Sequence, residues 1–111
     1  MTAALAGGTA RADAPAGSSA TARRLLNDAL EQAKQGHLDQ AFLLAKEATE
    51  AGDDTPATVT AREYLRQRAT LNHLQRAHSL ELAGRSAEAA IEYRTAMAID
   101  PSNLEARQGL A

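Results

Sequence analysis

From Thr21 onward, apolar residues recur every three or four positions, and glycine or proline interrupts the pattern at only a few points. Leu25, Ala29 and Ala33 are four apart, Leu26 and Leu30 lie beside them, and the run stops at Gly36. This spacing lines one face of a 3.6-residue helix. Residues 38–51 repeat it with Ala41, Leu44, Ala45 and Ala48, and Gly52 follows where a helix C-terminus is expected. Thr55-Pro56 then supplies a capping hydroxyl and a proline at the first helical position, where its missing N–H costs nothing. No breaker follows until Gly84. One helix of about 27 residues, roughly 40 Å long, is therefore expected over 57–83, with a kink or break near 69–72 as the alternative. A fourth segment, 86–99, ends at Asp100-Pro101. Ser102-x-x-Glu105 has capping-box spacing and opens a short last helix through Leu110. No stretch alternates as a strand does. The expected fold class is all-α.

Composition supports helices and narrows the chemistry. The chain has 111 residues, the size of one domain with a modest core. Twenty-seven residues are Ala, the strongest helix former, and the aromatics are only Phe42, Tyr64 and Tyr93. Small contact residues of this kind suit closely approaching helices rather than a sandwich or barrel. There is no Cys, so disulfides, thiolate metal sites and thiol catalysis are all excluded. The net charge of −2 gives no electrostatic footprint for nucleic acid or an acidic membrane. No apolar run reaches the 18 or more residues of a membrane span. Residues 1–18 carry Gly7, Gly8, Pro15 and Gly17 and read as a disordered leader or as the remnant of an export signal. Ala10-Arg11-Ala12 has the A-x-A form of a signal-peptidase site, but no basic region precedes the short apolar stretch.

Two parts of the chain share a spacing. Ala29, Gly36, Ala41 and Ala48 are separated by 7, 5 and 7 residues, and so are Ala77, Gly84, Ala89 and Ala96. A helical hairpin needs these types in this order: a small residue where its first helix crosses the second, a glycine at the tight turn, and two small residues facing back. With Leu80, Tyr93 and Pro101, these positions resemble the tetratricopeptide repeat (TPR), a 34-residue helix–turn–helix unit. The resemblance covers about residues 22–111. It implies antiparallel hairpins in a short α-solenoid: a hairpin at 21–52, an extended second unit at 56–101, and a partial third unit or capping helix at 102–111, together a helical domain over 19–111. Departures exist. His73 stands where the family usually has a large apolar residue, Arg76 where it prefers Leu, and Ala45 where the first hairpin would have a large one. The two turn glycines are 48 apart rather than 34. About 14 residues, or four helical turns, are therefore inserted between them.

Candidate chemistry is sparse. His73 and His78 are five apart and so about 140° apart around a helix, whereas metal-binding pairs favour i,i+3 or i,i+4. His78 and Glu81 have i,i+3 spacing, but one imidazole and one carboxylate do not make a site. His37 falls in a turn. No G-x-S-x-G elbow or phosphate-cradling Gly loop is present. Asp53-Asp54 beside Pro56 reads as charge at a helix start. Arg62, Arg66, Arg68 and Arg76 read as a solvated face or as a rim for an acidic partner, because aromatics to stack bases are missing. No catalytic residue, metal or cofactor is expected.

The resemblance implies a concave face made by the first helix of each unit, where such proteins bind peptides. The corresponding residues here are Arg23, Leu26, Leu30, Ala33 and Lys34 from the first unit, and Leu71, Leu74, His78, Glu81 and Leu82 from the second. Half of these ten are Leu. The basic clamp with which some family members hold a C-terminal carboxylate has no match at Leu26, Leu30 or Gln75. The expected function is non-catalytic protein–protein interaction, an adaptor or scaffold that takes a protein or peptide partner and no nucleic acid. The alternative is a self-associating scaffold that uses the same face between copies. Ten Arg against two Lys, with abundant Ala, is the composition of a GC-rich bacterial genome. With the A-x-A signal, it points to the bacterial periplasm or cell envelope and to secretion or pilus assembly; a cytoplasmic location is the alternative.

Overall fold

A computed structural model describes residues 16–52 and 55–111. The expected leader up to residue 15 lies outside the described residues, as do Asp53 and Asp54. Every regular element among the described residues is an α-helix: α1 (Ala16–Lys34), α2 (Leu38–Ala51), α3 (Pro56–Leu82), α4 (Ser86–Ile99) and α5 (Leu104–Gly109). The expected all-α class is what the chain adopts. α1 starts at Ala16 rather than Thr21, so residues 16–18 are helical. After Pro15 the only weak helix former is Gly17, which costs roughly 1 kcal/mol against Ala. α3 is continuous over 27 residues with no break near 69–72. There the Thr70 hydroxyl donates to the Arg66 carbonyl at 2.7 Å, staying within the helix.

The chain divides into two compact units, one ending at Glu63 and the other beginning at Tyr64, so α3 supplies residues to both. In the first unit α1 packs on α2. The buried face consists of Ala22 and Ala29 from α1 with Ala41, Phe42, Ala45 and Ala48 from α2. Ala45, smaller than the TPR pattern prefers, is fully buried. At the start of α3 the Thr55 hydroxyl accepts the Thr58 N–H at 3.3 Å, the cap bond expected beside Pro56. Arg62 donates to the Thr49 hydroxyl of α2 at 3.4 Å.

The second unit has a core of Leu74 and Ala77 from α3, Ala89, Tyr93 and Ala96 from α4, and Ala106 from α5, with Leu80, Met97 and Leu110 packed around it. α4 packs directly on α5.

The duplicated spacing corresponds to duplicated geometry. All six alanines of the two sets are fully or almost fully buried. Gly36 and Gly84 both have positive φ, 85° and 77°, which only glycine adopts without cost. The turns make the same hydrogen bonds. Gly36 N–H donates to Ala33 O at 3.0 Å and His37 N–H to Gln32 O at 2.9 Å. Gly84 N–H donates to Glu81 O at 3.0 Å and Arg85 N–H to Leu80 O at 2.8 Å. These are paired Schellman bonds. α2 and α4 then each run for 14 residues. Gly52 differs: it ends α2 with extended φ/ψ of −128° and −168°, which requires no glycine.

The cap of α5 also departs from the sequence pattern. α5 is capped by Asn103, whose side-chain oxygen accepts the Ala106 N–H at 2.9 Å, and not by Ser102. Ser102 Oγ donates instead to Asp100 Oδ1 at 2.7 Å, and the Glu105 side chain reaches α3 rather than closing a capping box.

Candidate functional site

The expected face draws on residues of both units. In the first, Arg23 and Leu26 line a recess of about 280 Å³ with Ala22, Gly52, Thr55, Ala57 and Thr58. Arg23 is exposed at its edge and Leu26 is half-buried. Leu30 is 42% exposed, Ala33 is half-buried, and Lys34 is exposed in the last turn of α1.

In the second unit the predicted residues divide. Leu71 is 53% and Leu82 is 92% exposed, and the side chains of His78 and Glu81 are about half exposed. Leu71, His78 and Leu82 are separated by seven and four residues, which keeps them on a narrow arc of α3 at about 100° per residue. Leu74 does not belong with them. It is 3% exposed and part of the core cluster. About 60° round the helix from both Leu71 and Ala77, it stands at the border between the open and the inward-facing arcs, and its side chain is taken up by the core. Its assignment to the open face is corrected.

The histidines occupy three different settings. His37 Nδ1 lies 2.8 Å from Gln32 Oε1 at the first turn. His73 is buried, with Nδ1 2.6 Å from Glu92 Oε1, and Arg76 approaches the same oxygen at 3.9 Å. A carboxylate from α4 thus satisfies the imidazole that stands at an apolar position of the repeat pattern. Arg76, in place of a Leu, is exposed and joins this ion pair.

His78 is the centre of a cluster that spacing alone did not reveal. Its Nε2 bonds the Glu105 carboxylate of α5, and its Nδ1 lies 3.6 Å from Glu81 Oε1. The Tyr93 hydroxyl donates to Glu81 at 2.7 Å and sits 3.5 Å from His78 Nδ1. The two rings meet edge to face, with centroids 6.0 Å apart. The bond to Glu105, and then the charges of Glu105 and Glu81, raise the His78 pKa above its ordinary 6.5. Burial, followed by the bond to Glu81, pushes the Tyr93 phenol up to about 12. Both shifts favour the protonated donor. This environment keeps a proton on His78 to higher pH than an isolated imidazole keeps one. His78, Tyr93 and Glu105 line a cavity of about 630 Å³ with Leu104, Gln108 and Gly109. The only sequence signal for this cluster was the His78/Glu81 pair.

The arginines are mostly engaged. Arg62 pairs with Glu63 at 3.1 Å, and the Arg68 guanidinium lies 5.7 Å from the centre of the Tyr64 ring. Among the described residues no group of three or more acidic or imidazole side chains is placed to hold a metal ion. No described helix is long and apolar enough to cross a membrane. No family model, curated protein or solved structure matches this chain.

Proposed function

We propose that this chain is a TPR-like helical-hairpin module that binds a protein or peptide partner and does not catalyse a reaction. The reading rests on one observation: α3 carries exposed Leu71 and Leu82 on a single arc with His78, while its alanine and Leu74 face is already used by the core. A contiguous apolar patch left open to water is the usual mark of an interaction surface, and Leu71 and Leu82 stand eleven residues, about 16 Å, apart along this arc. The duplicated hairpins, with matching buried alanines and matching glycine turns, support the repeat reading. In the second unit the partner's apolar residues cover Leu71 and Leu82 while His78 and Glu81 set its orientation; in the first unit the corresponding apolar residues are Leu26 and Leu30, with Arg23 and Lys34 as the polar ones. Burying Leu82 contributes about 1.5–3 kcal/mol, and Leu71 about half as much because it is already half covered. The Arg-rich, Ala-rich composition and the A-x-A element support a bacterial envelope setting, in secretion or pilus assembly.

Selection of a random 12-residue peptide library on the chain tests this reading. Recovered peptides should shift the NMR signals of Leu71, His78 and Leu82 and leave those of Ala89 and Ala96 in place. Peptides that map elsewhere, or none recovered, would overturn it. Light scattering at two concentrations separates the runner-up, a self-associating scaffold: growth in mass with concentration, lost in Leu82→Asp, favours a second copy as the occupant.

A further inference from the structure

The short helix α5 is held on the second unit by two kinds of contact. The first is apolar: Ala106 is fully buried in the core cluster and Leu110 packs beside it. Gly109 lies so close to Tyr93 that a Cβ there would come within 2.5 Å of the ring. The second is the link from Glu105 to His78 of α3. A helix of six residues is far below the length that persists unaided in water, so these contacts decide whether α5 forms.

His78 is arranged so that its charge matters to this link. The ionisable groups facing it are Glu81 from α3, Tyr93 from α4 and Glu105 from α5. With Tyr93 donating to Glu81, the phenol oxygen and Glu81 are both left to accept from Nδ1, while Glu105 accepts from Nε2. The imidazolium therefore has an acceptor for each N–H, and one of them belongs to α5. A neutral ring keeps only one N–H: its bond to the Glu105 carboxylate loses the cation's attraction, and one of the two acceptors facing the ring is left without a donor.

We propose that His78 is a proton-operated latch that holds α5 against the α3–α4 hairpin when protonated and lets α5 detach when it loses its proton. What α5 uncovers is apolar: Tyr93, with Leu74 and Ala77 behind it in the same cluster. The pH therefore controls exposure of an apolar face on the second unit. The direction follows from linkage. The folded-state pKa of His78 lies above 6.5, so the latch contributes fully below pH 6.5 and is lost as pH rises through the raised value.

NMR of the full chain tests the latch. The His78 ring Cε1–H signal, the 13Cα shifts of residues 105–109 and the Ala106 methyl are followed from pH 5 to pH 9. The folded-to-frayed ratio of α5 should fall about two-fold or more, with the midpoint of the His78 titration. In Glu105→Gln the His78 midpoint should drop and the α5 step should disappear; His78→Gln should hold one α5 population at every pH. Both substitutions are at half-exposed positions, so the core is kept. α5 shifts that stay flat across the His78 titration would overturn the proposal. So would an unchanged step in Glu105→Gln.

Discussion

Leu74→Ala separates the core of the second unit from its open face. Leu74 is 3% exposed and touches a cluster built from three helices, whereas Leu71, one turn earlier, is 53% exposed. Truncation to Ala removes three carbons. At about 0.8 kcal/mol for each buried one, the transfer loss at Leu74 is about 2.4 kcal/mol. The cavity left among alanines that cannot lean in to fill it brings the total to about 2.5–5 kcal/mol. The same change at Leu71 forfeits only the covered half, about 1 kcal/mol, and at the nearly bare Leu82 almost nothing. Urea and thermal denaturation followed by circular dichroism at 222 nm read the difference. Leu74→Ala should lower Tm by about 10 °C or more, or leave the second unit unfolded at 25 °C, and Leu71→Ala by less than about 8 °C. If Leu74→Ala destabilises no more than Leu71→Ala, Leu74 does not carry the core and the assignment of inner and outer arcs on α3 is wrong.

Gly84→Ala should cost about 1–2 kcal/mol although nothing lies within 4 Å of the added carbon, because the cost is set by φ of +77° alone. Gly84→Asn should cost less in the same denaturation experiment, since Asn tolerates this region, and equal costs would mean the turn does not need its left-handed residue. Gly109→Ala should push α5 off the Tyr93 ring, a clash of about 1–3 kcal/mol, seen as loss of the ring-shifted Ala106 methyl signal. An unchanged methyl signal would show that the close approach is not kept in solution. Tyr93→Phe should remove a phenolate absorbance step near pH 12. In the parent chain, the raised phenol pKa means that stability falls as pH climbs from 10 toward 12, and the Phe variant should lack that fall.

The hairpin frame was readable in advance because it depends on small residues at fixed intervals. Where two helices nearly touch, only Ala fits, and where the chain reverses with φ positive, only Gly is free of strain; both leave marks in one-dimensional spacing. Thr55-Pro56 was legible for the same reason, since a cap is a local bond. Three features depended on distant partners and left no such mark. The burial of His73 relies on Glu92, and the environment of His78 on Glu105. The cap of α5 moved to Asn103 because adjacent Ser102 and Asn103 both cap well, while Glu105 is committed to His78 instead of the box. Leu74 was misplaced for a geometric reason: it sits only about 60° from the exposed arc, an angle that apolar periodicity does not resolve.

The central claim is that the exposed α3 leucines grip another polypeptide. Isothermal titration of a selected peptide against the parent chain and Leu82→Asp tests it most directly, with Tm recorded for both. The account predicts about ten-fold or greater weakening with Tm unchanged, since a contact of about 1.5–3 kcal/mol is lost from a side chain that supports nothing in the fold. Equal affinity in the two proteins would contradict it.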